Sequence, residues 1–276
     1  MVYSCVSAMG PGRSSLLQMD SDPAGPYPES IMSSTFDLQS IPFVCIGHRG
    51  ACGYEPENTL SSFECAIAMG CDWIELDVYQ VEGELLVIHD DTLNRTTNGR
   101  GEVVQQTLAY LRSLDAGKGQ QIPKLTEVVR AVDHRAGINI ELKGEHTASP
   151  VVDLLHQFEA SGWDPAEFLI SSFDHVQLAQ VGQLEPRLRT GALFSRDAEN
   201  CIAKAIDLRA FSLNLGLRLV DADLVQRIHA AGLKVYVFTV NHTADISRMM
   251  ADQVDGVFTN FPDRVLEMQK EIQNGR

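Results

Sequence analysis

Short apolar runs recur along this chain from Phe43 onward, and between them lie stretches whose apolar residues return every three or four positions. Read as strands, the runs cover residues 43–47, 73–78, 85–88, 138–142, 168–171, 190–194, 210–213, 234–239 and 256–259. The helical stretches include 59–69, 125–134, 150–161, 176–183, 198–206, 222–231 and 245–251. Glycine closes two of them, at Met69-Gly70 and Ala231-Gly232, where a left-handed residue ends a helix at little cost. Strands alternating with helices predict βαβ units and a parallel sheet. The strand count is one more than an eight-stranded barrel takes. Run 85–88 is the extra one. Only Glu82-Gly83-Glu84 separates it from the preceding strand, too short for a parallel crossover, so it returns as a hairpin. A three-residue loop is predicted, because that register sets His89 opposite Asp77 on the same face, whereas a two-residue loop turns His89 away.

Two strands carry charge in a regular pattern. In Trp73-Ile74-Glu75-Leu76-Asp77-Val78 the acids share one face and Ile74, Leu76 and Val78 the other. In Ile138-Asn139-Ile140-Glu141-Leu142-Lys143 the polar residues again share a face. Charge inside an apolar strand is costly unless paired or bound to metal. A single such acid is ordinarily a salt-bridge or rim residue, but the repeated parity beside two histidines favours a site. Three carboxylates make a hard, oxygen-rich set suited to Mg²⁺ or Ca²⁺ rather than zinc. His48 and His89 each follow a strand, where imidazoles can act as base and acid. Asp90 either orients His89 or opens the next turn. The other six histidines (His134, His146, His156, His175, His229 and His242) read as structural or solvated. Arg49 and Lys143 are cations fit for a phosphate, and also balance the acids.

These pieces together resemble the signature of the glycerophosphodiester phosphodiesterases. The resemblance rests on His48-Arg49-Gly50, Pro56-Glu57-Asn58-Thr59, Glu75-Leu76-Asp77 and His89-Asp90-Asp91-Thr92-Leu93-Asn94-Arg95-Thr96-Thr97. It continues through Ile122-Pro123-Lys124-Leu125, Glu141-Leu142-Lys143, Ser171-Ser172-Phe173-Asp174, Thr239-Val240-Asn241 and Gly256 to Asp263. It implies a (β/α)8 barrel of the TIM type, with a small insertion at the hairpin after the second strand. It implies hydrolysis of glycerophosphodiesters to sn-glycerol 3-phosphate and an alcohol. By resemblance, Glu75, Asp77 and Glu141 are metal ligands, His48 is the base and His89 the acid. Arg49 and Lys143 contact the phosphate, and Asn58 and Phe238 belong to the substrate site. The nucleophile is left open between water and the substrate's own 2-hydroxyl. The chain departs from the family pattern at Phe238, where Trp is frequent, and at Asn260, where Asp is common. Both departures are expected to touch the substrate pocket more than the reaction. The rival readings are a lysophospholipase D of the same superfamily and a non-catalytic barrel. The second is disfavoured because every catalytic group is present.

Composition narrows the picture. The 276 residues suit one large barrel domain, placed at 41–276, and 44% hydrophobic content permits a normal core. Residues 1–40, rich in Ser, Pro, Gly and Asp, are expected to be a disordered extension. A net charge of -15 repels nucleic acid and anionic membranes, so neither is an expected partner, and an anionic substrate needs a local positive site. No signal-peptide pattern and no long apolar run stand in the sequence, which points to the cytoplasm and to unbridged thiols among the six cysteines. Oligomeric state is left open.

Overall fold

Val44–Gly47 (β1) is buried along its whole length, as a strand covered on both faces must be. It opens a computed structural model that describes residues 43–196 and 198–275; the expectation for residues 1–40 lies outside them. The order continues α1 (Leu60–Met69), β2 (Trp73–Val81), β3 (Glu84–Val87), α2 (Leu108–Ser113), α3 (Leu125–Val132), β4 (Gly137–Leu142), α4 (Ala148–Glu159), β5 (Phe168–Ser172) and α5 (His175–Leu184). It ends β6 (Arg189–Phe194), α6 (Cys201–Asp207), β7 (Ser212–Gly216), α7 (Ala222–Ala230), β8 (Lys234–Phe238), α8 (Thr243–Ala251), β9 (Gly256–Thr259) and α9 (Pro262–Gln273). The parallel strands pair in the order β1-β9-β8-β7-β6-β5-β4-β2, and β1 pairs with β2 to close an eight-stranded barrel. The ninth strand, β3, lies antiparallel on β2, as a hairpin must.

The strand parity read from sequence decides what lies inside. Ile74, Leu76 and Val78 of β2 and Ile138, Ile140 and Leu142 of β4 pack outward with helix residues such as Phe63, Val129 and Val151. The opposite faces turn inward. Val44, Ile46, Trp73, Leu169, Tyr236 and Phe258 form the inner apolar cluster. Trp73 needs glycine beside it, since a Cβ on Gly137 would fall 2.3 Å from its ring. Beyond this cluster come small polar residues in pairs: Asn139 Nδ2 donates to Ser171 Oγ at 3.0 Å, and Ser212 Oγ to Asn214 Oδ1 at 2.8 Å. Helix starts follow their caps. Thr59, Asp174 and Asp221 each accept from a first-turn backbone N–H, satisfying groups the helix leaves open.

Three expectations need correction. The hairpin loop has two residues, not three: Val81 pairs with Glu84, and Glu82 (φ 50°) and Gly83 (φ 84°) are both left-handed. Such turns match the twist of the strands they join, and Glu82 accepts that backbone without a residue type that announces it. Strand β7 starts two residues and ends three residues later than the pattern 210–213, because its inward positions, Ser212 and Asn214, are polar and erase the apolar signal. Helices α2 and α9 are absent from the sequence reading; α9 buries little more than Pro262 and Val265.

Above the barrel, β2 extends to Val81 and carries Tyr79 and Val81 into a second apolar cluster with Leu86, Leu93, Val103, Leu111, Leu114 and Ile122. The segment after the hairpin thus has a core of its own. No disulfide joins the described cysteines; Cys5 lies outside the described residues. No described helix is long and apolar enough to cross a membrane.

Candidate active site

At the C-terminal ends of the barrel strands, where such folds carry their sites, lies a cavity of about 180 Å³. Its walls include His48, Arg49, Glu75, His89, Glu141, Lys143 and Phe238, together with Asn139, Ser171, Phe173, Leu193, Thr239 and Phe258. Seven of the nine predicted site residues therefore line one space. Asp77 and Asn58 stand behind it.

The acids are set by register. Glu75 lies two residues before Asp77 on β2, and Asp77 is the ladder partner of Glu141 on β4. One carboxylate oxygen from each of the three lies within 4.8 Å of the others. Glu75 and Asp77 are buried, and the Glu141 side chain is only 12% exposed. Burial, then Asp77 and Glu141, hold the Glu75 carboxyl well above its usual range. Burial and Asp77 push Glu141 up to about 7. Buried Asp77 Oδ1 has no hydrogen-bond partner. Three crowded carboxylates with an orphaned oxygen are the environment that a divalent cation completes, so the residues fit a metal.

Arg49 begins the loop after β1 in the left-handed region (φ 53°). That turn aims its backbone N–H at Glu75 Oε2, 2.8 Å away. The next residue must be glycine, because a Cβ on Gly50 would meet the Ser62 backbone at 2.5 Å. The Arg49 guanidinium binds Glu57 Oε1 at 2.8 Å and lies 3.5 Å from Asp77 Oδ2. Lys143 Nζ sits 2.9 Å from Glu141 Oε1 and 4.0 Å from Asp77 Oδ1. Burial alone would lower both basic groups, but the neighbouring acids outweigh it and raise them. Both are held charged beside the cavity.

Asn58 takes a different position from the one expected. It does not line the cavity. Its Nδ2 donates to Asp77 Oδ2 at 2.9 Å and its Oδ1 accepts from the Asp77 backbone at 3.4 Å, so it grips the acid rather than facing a substrate.

The histidines differ. His48 Nδ1 donates to Asn260 Oδ1 at 2.7 Å, leaving the Nε2 lone pair free. Burial, reinforced by Arg49, lowers its pKa to about 4. Asn260, expected to affect the substrate pocket more than the reaction, thus holds the His48 ring. His89 Nδ1 meets Asp90 Oδ1 at 2.7 Å, and its Nε2 is 3.4 Å from Lys143 Nζ. With a two-residue hairpin, Ile88 rather than His89 stands opposite Asp77; Ile88 N donates to Asp77 O at 3.0 Å. Had the strand continued, His89 would point outward. β3 stops at Val87 and the chain bends at His89 and Asp90, which returns the ring to the cavity.

The sequence reading gave no role to Glu57, Arg95, Phe173 or Leu193. Phe173 and Phe238 meet edge to face, centroids 5.9 Å apart, on the apolar side of the cavity. Three of the remaining histidines pair with acids elsewhere: His134 with Glu167, His156 with Glu185 and His229 with Asp255. A second acidic group, His156 with Glu159 and Glu185, is filled by Arg187, which bonds both carboxylates.

A family model described as "Glycerophosphoryl diester phosphodiesterase family" matches residues 48–264. A glycerophosphodiester phosphodiesterase of Bacillus subtilis is 33% identical over 251 residues, covering 82% of this chain and 86% of that protein. One from Caldanaerobacter subterraneus subsp. tengcongensis is 33% identical over 237 residues, covering 82% and 97%. Among solved structures, an Oleispira antarctica phosphodiesterase in complex with the product sn-glycerol-3-phosphate superimposes with a TM-score of 0.77 at 29% identity, covering 84% of this chain and 99% of that one.

Proposed function

The chain belongs to the glycerophosphoryl diester phosphodiesterase family, and from that premise we propose that it hydrolyses glycerophosphodiesters to sn-glycerol 3-phosphate and an alcohol at the cavity described above. The observation that carries this reading is the meeting of three crowded carboxylates, two cations and two imidazoles around one small cavity. Glu75, Asp77 and Glu141 would hold the divalent metal, with Asn58 fixing Asp77. Oxygen ligands alone favour Mg²⁺ or Ca²⁺. Such an ion, when bound, offsets charge on a phosphate oxygen and polarises the phosphorus centre.

The chain's own groups divide the remaining work. Arg49 and Lys143 take up the negative charge that gathers on the phosphate. His48, held neutral by burial, accepts the proton of the attacking hydroxyl at Nε2. That hydroxyl belongs to water or to the glycerol 2-position. His89, with Asp90 on Nδ1, gives a proton to the departing alcohol oxygen from Nε2. The apolar side formed by Phe173, Leu193 and Phe238 receives carbon atoms of the substrate and excludes water. The substrate is a small molecule, and a cytoplasmic, water-soluble diester is the preferred class.

Release of sn-glycerol 3-phosphate from glycerophosphocholine and glycerophosphoethanolamine, with EDTA and then with Mg²⁺ or Ca²⁺ restored, tests the reading. Activity abolished by EDTA and restored by one metal is expected. Folded protein that is inert on both diesters under every metal, yet cleaves lysophospholipid micelles, would move the assignment to a lysophospholipase D.

A further inference from the structure

Arg95 lies in the segment after the hairpin, next to neither the carboxylate cluster nor the cavity wall. Its guanidinium is nonetheless forked on both sides. Nε and Nη2 donate to the two oxygens of Asp90 at 2.7 and 2.8 Å. Nη1 and Nη2 donate to the two oxygens of Glu57 at 2.6 and 2.7 Å. Asp90 holds His89 Nδ1, and Glu57 Oε1 also accepts from Arg49 Nη1 at 2.8 Å. A chain of hydrogen bonds thus runs from His89 through Asp90, Arg95 and Glu57 to Arg49. Its two ends are the proposed proton donor and a proposed phosphate ligand. Exposed ion pairs usually add little to stability, and the Arg95 side chain is 48% exposed. A planar fork that satisfies two carboxylates at once is instead a device for fixing angles, which Lys cannot reproduce.

We propose that Arg95 is a positioning residue that sets His89, through Asp90, in the orientation needed to protonate the leaving alcohol, and does so in register with Arg49 through Glu57. The inference rests on the acid role given to His89 above. In that step the P–O bond breaks, its electron pair goes to the alcohol oxygen, and the proton on His89 Nε2 joins that oxygen. The neutral ring keeps its Nδ1–H on Asp90. Loss of Arg95 leaves the fold and the phosphate site standing, but lets Asp90 and the ring swing.

The test compares two leaving groups. Choline leaves as a strongly basic alkoxide and needs the proton; 4-nitrophenolate does not. Wild type, Arg95→Gln, Arg95→Lys, His89→Ala and Lys118→Ala are assayed with saturating metal on glycerophosphocholine and on the 4-nitrophenyl diester of glycerol 3-phosphate. Lys118 is the control, since it too clasps this segment to the loop after β1, through Tyr54 O at 3.0 Å and Glu55 at 2.9 Å, but touches no member of the chain. Arg95→Gln is expected to lower kcat on the choline diester by about 10- to 100-fold, as misplacement of a reacting group does, with KM and the nitrophenyl rate little changed. Arg95→Lys recovers part of the loss, and Lys118→Ala matches wild type on both. Arg95→Lys carries the same test should Arg95→Gln not fold. Equal loss on both substrates, or no loss on either, overturns the inference. If His89→Ala discriminates between the substrates and the Arg95 variants do not, only the role of Arg95 falls. If His89→Ala also loses both rates alike, the acid assignment falls and takes this inference with it.

Discussion

His48 and His89 face the same cavity, yet their surroundings differ in almost every respect. His48 follows β1 inside the barrel mouth, and its partner is the neutral carboxamide of Asn260. His89 sits in the bend after the hairpin, and its partner is a carboxylate, Asp90, itself braced by Arg95. Burial strips water from His48 and makes its charged form expensive, while Arg49 repels a second positive charge. The Asp90 carboxylate fixes the His89 ring at Nδ1, while Nε2 lies 3.4 Å from Lys143 Nζ. One environment strips the ring of water and keeps a lone pair available, and the other clamps the ring by a braced carboxylate. The mechanism proposed above gives these two identical side chains opposite jobs, and what stands behind them differs accordingly.

The strongest way to break this contrast is to remove each ring. His48→Ala and His89→Ala should each lower kcat on choline diesters by roughly 10²–10⁴, the range for a lost acid or base. Steady-state rates close to wild type for either variant would remove that residue from the mechanism. Making the two partners alike comes next. Asp90→Asn should reduce kcat by roughly 10²-fold, less than an asparagine in a buried triad costs, because Asp90 is partly exposed. A loss confined to thermal stability would show that Asp90 supports the bend and not the ring.

Asn58→Ala separates the histidines from the metal-holding side of the site. It should raise the metal concentration for half-maximal activity by roughly 10- to 100-fold, as loss of a partner behind a ligand does, with kcat at saturating metal much less affected. A metal titration reads this directly, and an unchanged midpoint would detach Asn58 from the metal. The smallest effect at alkaline pH belongs to Asn260→Asp. A carboxylate on His48 Nδ1 stabilises imidazolium and raises the pKa by about 1–3. Because the base must be neutral, the rate at pH 8 should stay near wild type, while the acid limb of the pH–rate profile moves to higher pH. An acid limb that does not move would mean that His48 is not the group titrating there.

The parity of Glu75, Asp77 and Glu141 was legible because a barrel strand alternates strictly between core and interior, and charge on the inward face has few explanations. The eight parallel strands were legible for a related reason, their doubly buried apolar runs. What failed depended on backbone detail or on distance along the chain. Nothing in Glu82-Gly83 announces two left-handed residues as Asn-Gly would, so the hairpin register was misread by one. His89 still reached the cavity, by leaving the ladder rather than by following it. Strand β7 was shifted because Ser212 and Asn214 occupy inward positions that the pattern expects to be apolar. Asn260 meets His48 across 212 residues, and Arg95 meets Glu57 across 38, so neither partnership had any local signal.

The contrast between the histidines turns on one property of His48, its neutrality. NMR titration of the ring resonances in the folded enzyme, assigned by difference from His48→Gln, measures it directly. The account predicts that His48 stays uncharged as the pH is lowered through 6 and 5, with its midpoint at about 4. Half-protonation at the ordinary histidine value of about 6.5 or above would contradict it, and with it the assignment of His48 as the base.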